Sequence, residues 1–458
     1  MSVLRGQSAV GCSLGVMHAL LADALGDGLL DEVVELTRDL IRADTTNPPG
    51  NETLGSDVLA AYLRRNGVEP EIVARDPARA NLIARVEGLG TGPSLALVGH
   101  TDVVYADPAD WSVPPFSGEL RDGHLWGRGA LDMKCQTAAS AVALAVLARS
   151  GWTPNGDVLL IAEADEEDGV DEVGMTWLVR ERPDLRCDYA LNEGSFRLSL
   201  SDGRTLYTLC VSEKMTMPVI VRTRGAAGHA STPTRGDNAL LKLAPVLERL
   251  AAYEPVRRRS PELDALLDVL APGDAPLAER IEQGRALHHE LWHGLPAIAG
   301  STFAVTVARA SRKRNVIPAT AEIECDCRVL PGTDPEELFA EFRAALGDLD
   351  VELELAEEPL GGTRSPIDTP LRDALAEWVG ALEPGALVVP EISTGFTDSH
   401  YLREAFGTVA YGFFPLRHTA PELLDTIHAP DERIDVRDLE LAVRAFVHCI
   451  DRIGSVTA

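Results

Sequence analysis

Three short apolar runs, residues 94–99, 158–162 and 189–191, each end directly in acids or a histidine. Runs of this length, separated by helix-like segments, are the pattern of buried strands in a largely parallel α/β sheet. Between the first two lies the Ala-rich stretch 134–150, closed by Gly151, which predicts a crossover helix. His100 and Asp102 follow the first run, Asp165, Glu166 and Glu167 the second, and Glu193 the third. Open α/β sheets place their sites at such carboxyl ends. One pattern therefore constrains both the fold and the location of any chemistry.

Helical periodicity marks 30–41 and 54–65, with Gly67 closing the second. Near Glu213 the pattern changes. Strands are expected at 215–224, 303–308, 321–329 and 351–355, and helices at 239–252 and 335–346. That balance suits a small α+β sandwich with helices on one face of an antiparallel sheet. After Gly361 the first pattern returns, with helices at 370–382 and 436–453 and strands at 388–389 and 409–413. The expectation is an α/β catalytic domain in two parts, 29–212 and 359–458, with an α+β domain inserted at 213–358. At 458 residues the chain is long enough for each domain to bury a core. Residues 1–28 read as an N-terminal extension. Their apolar stretch 9–25 is broken by His18 and Asp23, which favours an extended start over a secretory leader.

Charge narrows the function classes. With 42 Lys+Arg against 71 Asp+Glu the net charge is −29. Phosphate neutralisation needs basic clusters, so no nucleic-acid partner is expected. The basic runs 257–259 and 312–314 are only three residues long. No apolar run approaches the ~18 residues of a membrane span. Seven cysteines without a framework of paired spacings suggest reduced thiols in the cytoplasm. Cys325 and Cys327, on one expected strand, are read as pointing to opposite faces.

His100, Asp132, Glu167, Glu193 and the distant His428 offer two imidazoles and three carboxylates. Nitrogen and oxygen donors without thiolate suit zinc, cobalt or manganese. Three carboxylates carry enough charge for two divalent ions, provided one acid bridges them.

These stretches resemble a known family. GHTDVV at 99–104, GRGALDMK at 127–134, EADEE at 163–167, LNEG at 191–194 and HAPDERI at 428–434 are similar to motifs of the di-zinc amidohydrolases. That family includes aminoacylase, carboxypeptidase G, carboxypeptidase S and succinyl-diaminopimelate desuccinylase. GHAS at 228–231, NVIP at 315–318 and DCR at 326–328 match within the inserted domain, so the resemblance runs in order from about residue 30 onward. It implies a three-layer zinc-peptidase-like catalytic domain with an inserted lid or dimerisation domain.

The resemblance also implies roles. His100 and Glu193 would hold one Zn²⁺ and Glu167 and His428 the other, with Asp132 bridging; Co²⁺ or Mn²⁺ could replace zinc. Asp102 would accept the second imidazole proton of His100. Glu166 would be the general base, taking a proton from water between the metals and passing it to the leaving nitrogen. Arg328 and Asn315 would grip a substrate carboxylate, for which a guanidinium fork is suited. His229 would stabilise the oxyanion, reaching across a homodimer formed by the inserted domain. His124, His288, His289, His293, His418 and His448 match no motif and are expected to be structural or surface residues. Asp398 and His400 fall in a segment similar to the family's TDSRY-like loop, although relatives often have Arg at the position of His400. Cys135 and Gln136 stand where glycines commonly follow the DMK lysine.

The expected activity is metal-dependent hydrolysis of an amide bond in N-acyl amino acids or short peptides with a free carboxylate. The texture of 225–239 and 412–416 leans toward the carboxypeptidase S and aminoacylase branches. Alternatives are the same site run as an N-acyl amino acid synthase, or a scaffold that kept the fold without chemistry. Loss of Glu166 or of a ligand would mark the scaffold, and the sequence retains them all.

Overall fold

The apolar runs form the centre of a mixed sheet. A computed structural model describes residues 17–169, 171–254 and 256–457. Strands Leu95–His100 and Val158–Glu163 are buried along their whole length and run parallel. Tyr189–Asn192 pairs parallel on the other side of Leu95–His100, and Val409–Gly412 continues in the same sense. Antiparallel strands Asn81–Val86 and Glu71–Val73 extend one side, and Thr205–Glu213 and Leu387–Ser393 the other.

Alternation along these strands makes three layers. Ala96, Val98, Leu159 and Ile161 pack with Met175, Leu178 and Leu402 from helices Met175–Glu181 and Ser399–Phe406. The opposite face meets helix Lys134–Ser150, so closely that a Cβ at Gly99 would lie 2.6 Å from Thr137 Oγ1. That helix contacts Leu29–Arg42 and Val436–Gly454 as well as the sheet. Apolar on nearly every side, it is a core helix rather than an amphipathic one. Helix Ala19–Leu25 buries Leu21 and Leu25 against it, so packing begins ahead of the expected start at Leu29. Residues 1–16 of the expected extension lie outside the described residues.

The chain forms two compact units, the first being Met1–Leu209, Ser365–Val389 and Tyr401–Ala458. The second is Cys210–Arg364 with Pro390–His400. Its antiparallel sheet centres on Thr320–Val329, flanked by Val219–Arg224 and Thr302–Arg309. Helices Ala239–Ala251 and Pro335–Leu346 cover one face through Leu243, Val246, Leu338 and Phe342. The segment Pro390–His400 is tied in where Lys214 N donates to Ser393 O and Thr397 Oγ1 to Glu213 Oε1, at 2.9 and 2.6 Å. Three helices, Pro261–Leu270, Leu277–Arg285 and His289–Ile298, fill a stretch with no expected element. Their signal was present: Ser260 caps the first, Pro261 starts it, and Leu263, Leu266, Leu267 and Leu270 keep helical spacing.

One expectation needs correction. Cys325 and Cys327 both face the core, because residues two apart on a strand share a face. Both are buried thiols outside any disulfide.

Candidate metal centre

In the first unit, three of the parallel strands each deliver one part of the site. His100 ends Leu95–His100, opposite Glu163 in the neighbouring strand. Beyond Glu163 the chain turns through Asp165, at φ +68°, and presents Glu166 and Glu167. Glu193 directly follows Tyr189–Asn192. Asp132 precedes helix Lys134–Ser150, and His428, at φ +60°, comes from a loop far downstream.

These side chains converge. His100 Nε2 lies 3.1 Å from Asp132 Oδ1, and His428 Nε2 lies 3.2 Å from Asp132 Oδ2. Glu167 Oε2 is 2.9 Å from His428 Nε2. Donor atoms of His100, Glu166 and Glu193 fall within 4.8 Å of one another, as do those of His100, Asp132 and Glu167. Asp132 thus turns one oxygen toward each imidazole, the arrangement of a carboxylate shared between two ions.

The hydrogen bonding of His100 tests whether cations fit. Its Nδ1 lies 3.0 Å from the main-chain oxygen of Asp102, which can only accept, so Nδ1 carries hydrogen. In the neutral ring Nε2 then offers a lone pair to a carboxylate that also only accepts. A positive charge must sit between them. Burial opposes a charged His100, yet the bonds to Asp102 and Asp132 hold its pKa well above the usual range. Contacts with Asp132 and Glu167 push His428 up to about 10. Divalent ions held by these side chains would supply that charge.

A buried frame behind the cluster escaped the sequence reading. Asp102 faces His100 Nδ1 as expected, with its main-chain oxygen at 3.0 Å and Oδ1 at 3.5 Å. The carboxylate mainly accepts the N–H groups of Glu166 and Glu167, at 3.3 and 3.1 Å, and the amide of Asn47 at 2.9 Å. Asn47 also bonds Asp165, which Arg79 grips at 3.1 Å while pairing with Glu52 at 2.6 Å. These bonds hold a left-handed Asp165 whose backbone strain costs on the order of 1–3 kcal/mol. On the other side, the fully buried Glu432 accepts from Leu131 N at 2.6 Å and from Asp132 and Gly129 N at 3.1 Å. Its second oxygen pairs with Arg128 at 2.6 Å. Glu432 stands four residues after His428, so one short segment supplies both the imidazole that faces Asp132 Oδ2 and the carboxylate that anchors the Asp132 loop. In sequence Asp102, Arg128, Asp165 and Glu432 stood inside the motifs, whereas Asn47, Glu52 and Arg79 fall in none of them.

The remaining expected residues belong to the second unit. His229 and Asn315 are exposed on the paired short strands Gly228–His229 and Val316–Ile317 and the residue before them. Ser231 N donates to His229 Nδ1 at 3.2 Å, which leaves the ring hydrogen of the neutral form on Nε2. Arg328 binds Asp326 through Nε and Nη2, at 2.8 and 3.1 Å. Buried His400 sits edge-on to Phe396 with ring centres 6.1 Å apart. In the first unit, Cys135 is buried, its thiol pKa raised by that burial.

A model of peptidase family M20/M25/M40 matches residues 96–452. The chain belongs to this family. It is 29% identical over 420 residues to a succinyl-diaminopimelate desuccinylase of Cereibacter sphaeroides, covering 89% of this chain and 95% of the relative. It is 28% identical to the human N-fatty-acyl-amino acid synthase/hydrolase, covering 78% and 74%. The M20 family metallo-carboxypeptidase of Sulfolobus solfataricus shares the fold, with a TM-score of 0.69 at 18% identity over 93% of this chain and 99% of that one. This M20 chain is thus a hydrolase with a metallopeptidase fold, of the amidohydrolase and peptidase class. The first two relatives match almost equally well, so overall identity favours neither acyl branch.

Proposed function

We propose that this M20 chain hydrolyses an amide bond in N-acyl amino acids or short peptides that keep a free carboxylate, using two divalent ions, Zn²⁺ first among them. The observation that carries this reading is Asp132, whose two oxygens face His100 and His428 at 3.1 and 3.2 Å. His100 and Glu193 would hold one ion, Glu167 and His428 the other. The chemistry such ions supply is Lewis acidity toward the scissile carbonyl and toward water. Glu166 is assigned as general base: its backbone is pinned to Asp102, and its carboxylate shares a cluster with His100 and Glu193. It takes the proton of the attacking water and delivers it to the leaving nitrogen.

The second unit supplies recognition in this reading. Asp326 occupies the Nε–Nη2 edge of Arg328, so the Nη1–Nη2 edge is the one offered to a substrate carboxylate, with Asn315 assisting. The Nε2 hydrogen of His229 suits donation to an oxyanion. The relatives' names, a desuccinylase and an N-fatty-acyl-amino acid enzyme, both describe acyl groups joined to amino acids. One site serves both directions, so synthesis would use the same residues.

A homodimer through the second unit is part of the proposal. Strand Thr302–Arg309 pairs only with Thr320–Val329 among the described residues, leaving an edge for a second copy. Unpaired buried cysteines accord with a cytoplasmic setting. No helix among the described residues is long and apolar enough to cross a membrane. Metal analysis followed by a panel of N-acyl amino acids and dipeptides tests the reading. Two divalent ions per chain and chelator-sensitive release of the free amino acid are expected. A metal-free protein inactive across the panel, even after metal is added back, overturns the reading.

A further inference from the structure

The second unit contains HELWH at 289–293, a sequence for which the amide-cleaving centre has no use. It forms the first turn and more of helix His289–Ile298. Residues four apart on a helix are neighbours, with Cβ atoms about 5–6 Å apart. His289 and His293 therefore stand on one face of the helix, and both are exposed; the His289 ring lies beside that of His288, centres 4.5 Å apart. Glu290 adds negative charge, and its Oε1 lies 2.9 Å from His289 Nε2, so in the neutral ring that nitrogen carries hydrogen and Nδ1 keeps the lone pair. His288 is engaged elsewhere, since its Nδ1 accepts from Glu290 N at 3.2 Å and caps the helix. The neutral His288 ring then carries hydrogen on Nε2 and has no lone pair to offer.

We propose that His289 and His293 form a surface site for one transition-metal ion of the Zn²⁺, Ni²⁺ and Cu²⁺ class. Paired imidazoles prefer these ions over Mg²⁺ or Ca²⁺. Glu290 offsets their charge, and water completes the coordination. The site binds metal without cleaving anything. A zinc peptidase built on H-E-x-x-H needs a third protein ligand, and among the described residues clusters of three donors occur only in the first unit. Because only the folded helix sets the two residues one turn apart on a common face, an ion held by both pins the first turn of the helix.

The test uses zinc-loaded protein dialysed against Ni²⁺, with Ni²⁺ counted per chain and tryptophan fluorescence followed. Trp292 lies between the two histidines in sequence and is 49% exposed, which makes it a local reporter. Wild type is expected to bind one more Ni²⁺ than His293→Ala or His289→Ala, with saturable quenching that both variants and Trp292→Phe lose. Amide hydrolysis and zinc content stay unchanged in all three. Equal Ni²⁺ uptake and equal quenching in wild type and His293→Ala would overturn the proposal.

Discussion

Asp132 in the first unit is fixed by the buried Glu432, and Glu166 and Glu167 are fixed by the buried Asp102. In the second unit His229 and Asn315 are exposed, and His229 leans on Ser231, two residues away. The contrast fits the roles proposed for the two groups, cation binding for the first and substrate recognition for the second. Carboxylates and imidazoles gathered within about 3 Å resist assembly unless a rigid frame sets them in place before any cation arrives. Substrate-binding groups must stay open to solvent until substrate comes. Ordering each of them then costs about 0.5–1.5 kcal/mol.

The largest effect tests the pinned side. Glu166→Gln should lower turnover by about 10²–10⁴-fold while both metals stay bound, because the base is not a ligand. If metal content falls with Glu166→Gln and survives Glu167→Gln, the two roles are exchanged. On the open side, Arg328→Ala should reduce kcat/KM on substrates with a free carboxylate by about 10²-fold, and far less on their amides. Equal losses on both would make the Asp326 pair a purely structural contact. Mixing His229→Ala with Glu166→Gln after subunit exchange should restore activity if His229 serves the partner's site. A mixture that stays inactive despite proven exchange assigns His229 to its own chain.

The frame itself should show in metal affinity rather than in chemistry. Glu432→Gln puts an NH₂ group where Gly129 N–H or Arg128 now donates, loosening the Asp132 loop. Metal affinity, measured against a chelator, should weaken by about 10–100-fold, with activity recovering in excess metal. Unchanged affinity would mean that the loop holds Asp132 without Glu432.

The smallest effect concerns acid. Burial pushes His448, in the first unit's core, down to about 4 from its ordinary 6.5, with Glu377 3.7 Å away. As pH falls below about 6.5 the unfolded chain takes up this proton first, so stability drains away down to about pH 4. The slope is at most ~1.4 kcal/mol per pH unit. Melting curves of His448→Leu should be flatter over that window, and the second unit should not share the change. Identical pH slopes would remove His448 as the source.

Part of this was readable from the chain alone. An apolar run ending in His100, another in Glu166 and Glu167 and a third in Glu193 mark both the parallel strands and the side chains that gather at their ends, because strand burial and strand-end chemistry leave local traces. The α+β insertion was visible in the same way, through periods of two and of 3.6. Helices 261–298 show where attention to capping would have added more, since Ser260 and Pro261 signal a start.

What the tertiary structure decided is which atoms face each other. His428 is nearly 300 residues from Asp132 in sequence, and no periodicity could bring Nε2 within 3.2 Å of Oδ2. The same holds for Asn47 and Arg79 behind Asp165, and for Glu432 beneath the Asp132 loop. Nor could spacing show that Asp102 serves His100 more closely by its main chain than by its carboxylate. Local patterns record burial and backbone preference residue by residue. Hydrogen-bond partners separated by dozens or hundreds of residues are chosen only when the packed layers set the distances.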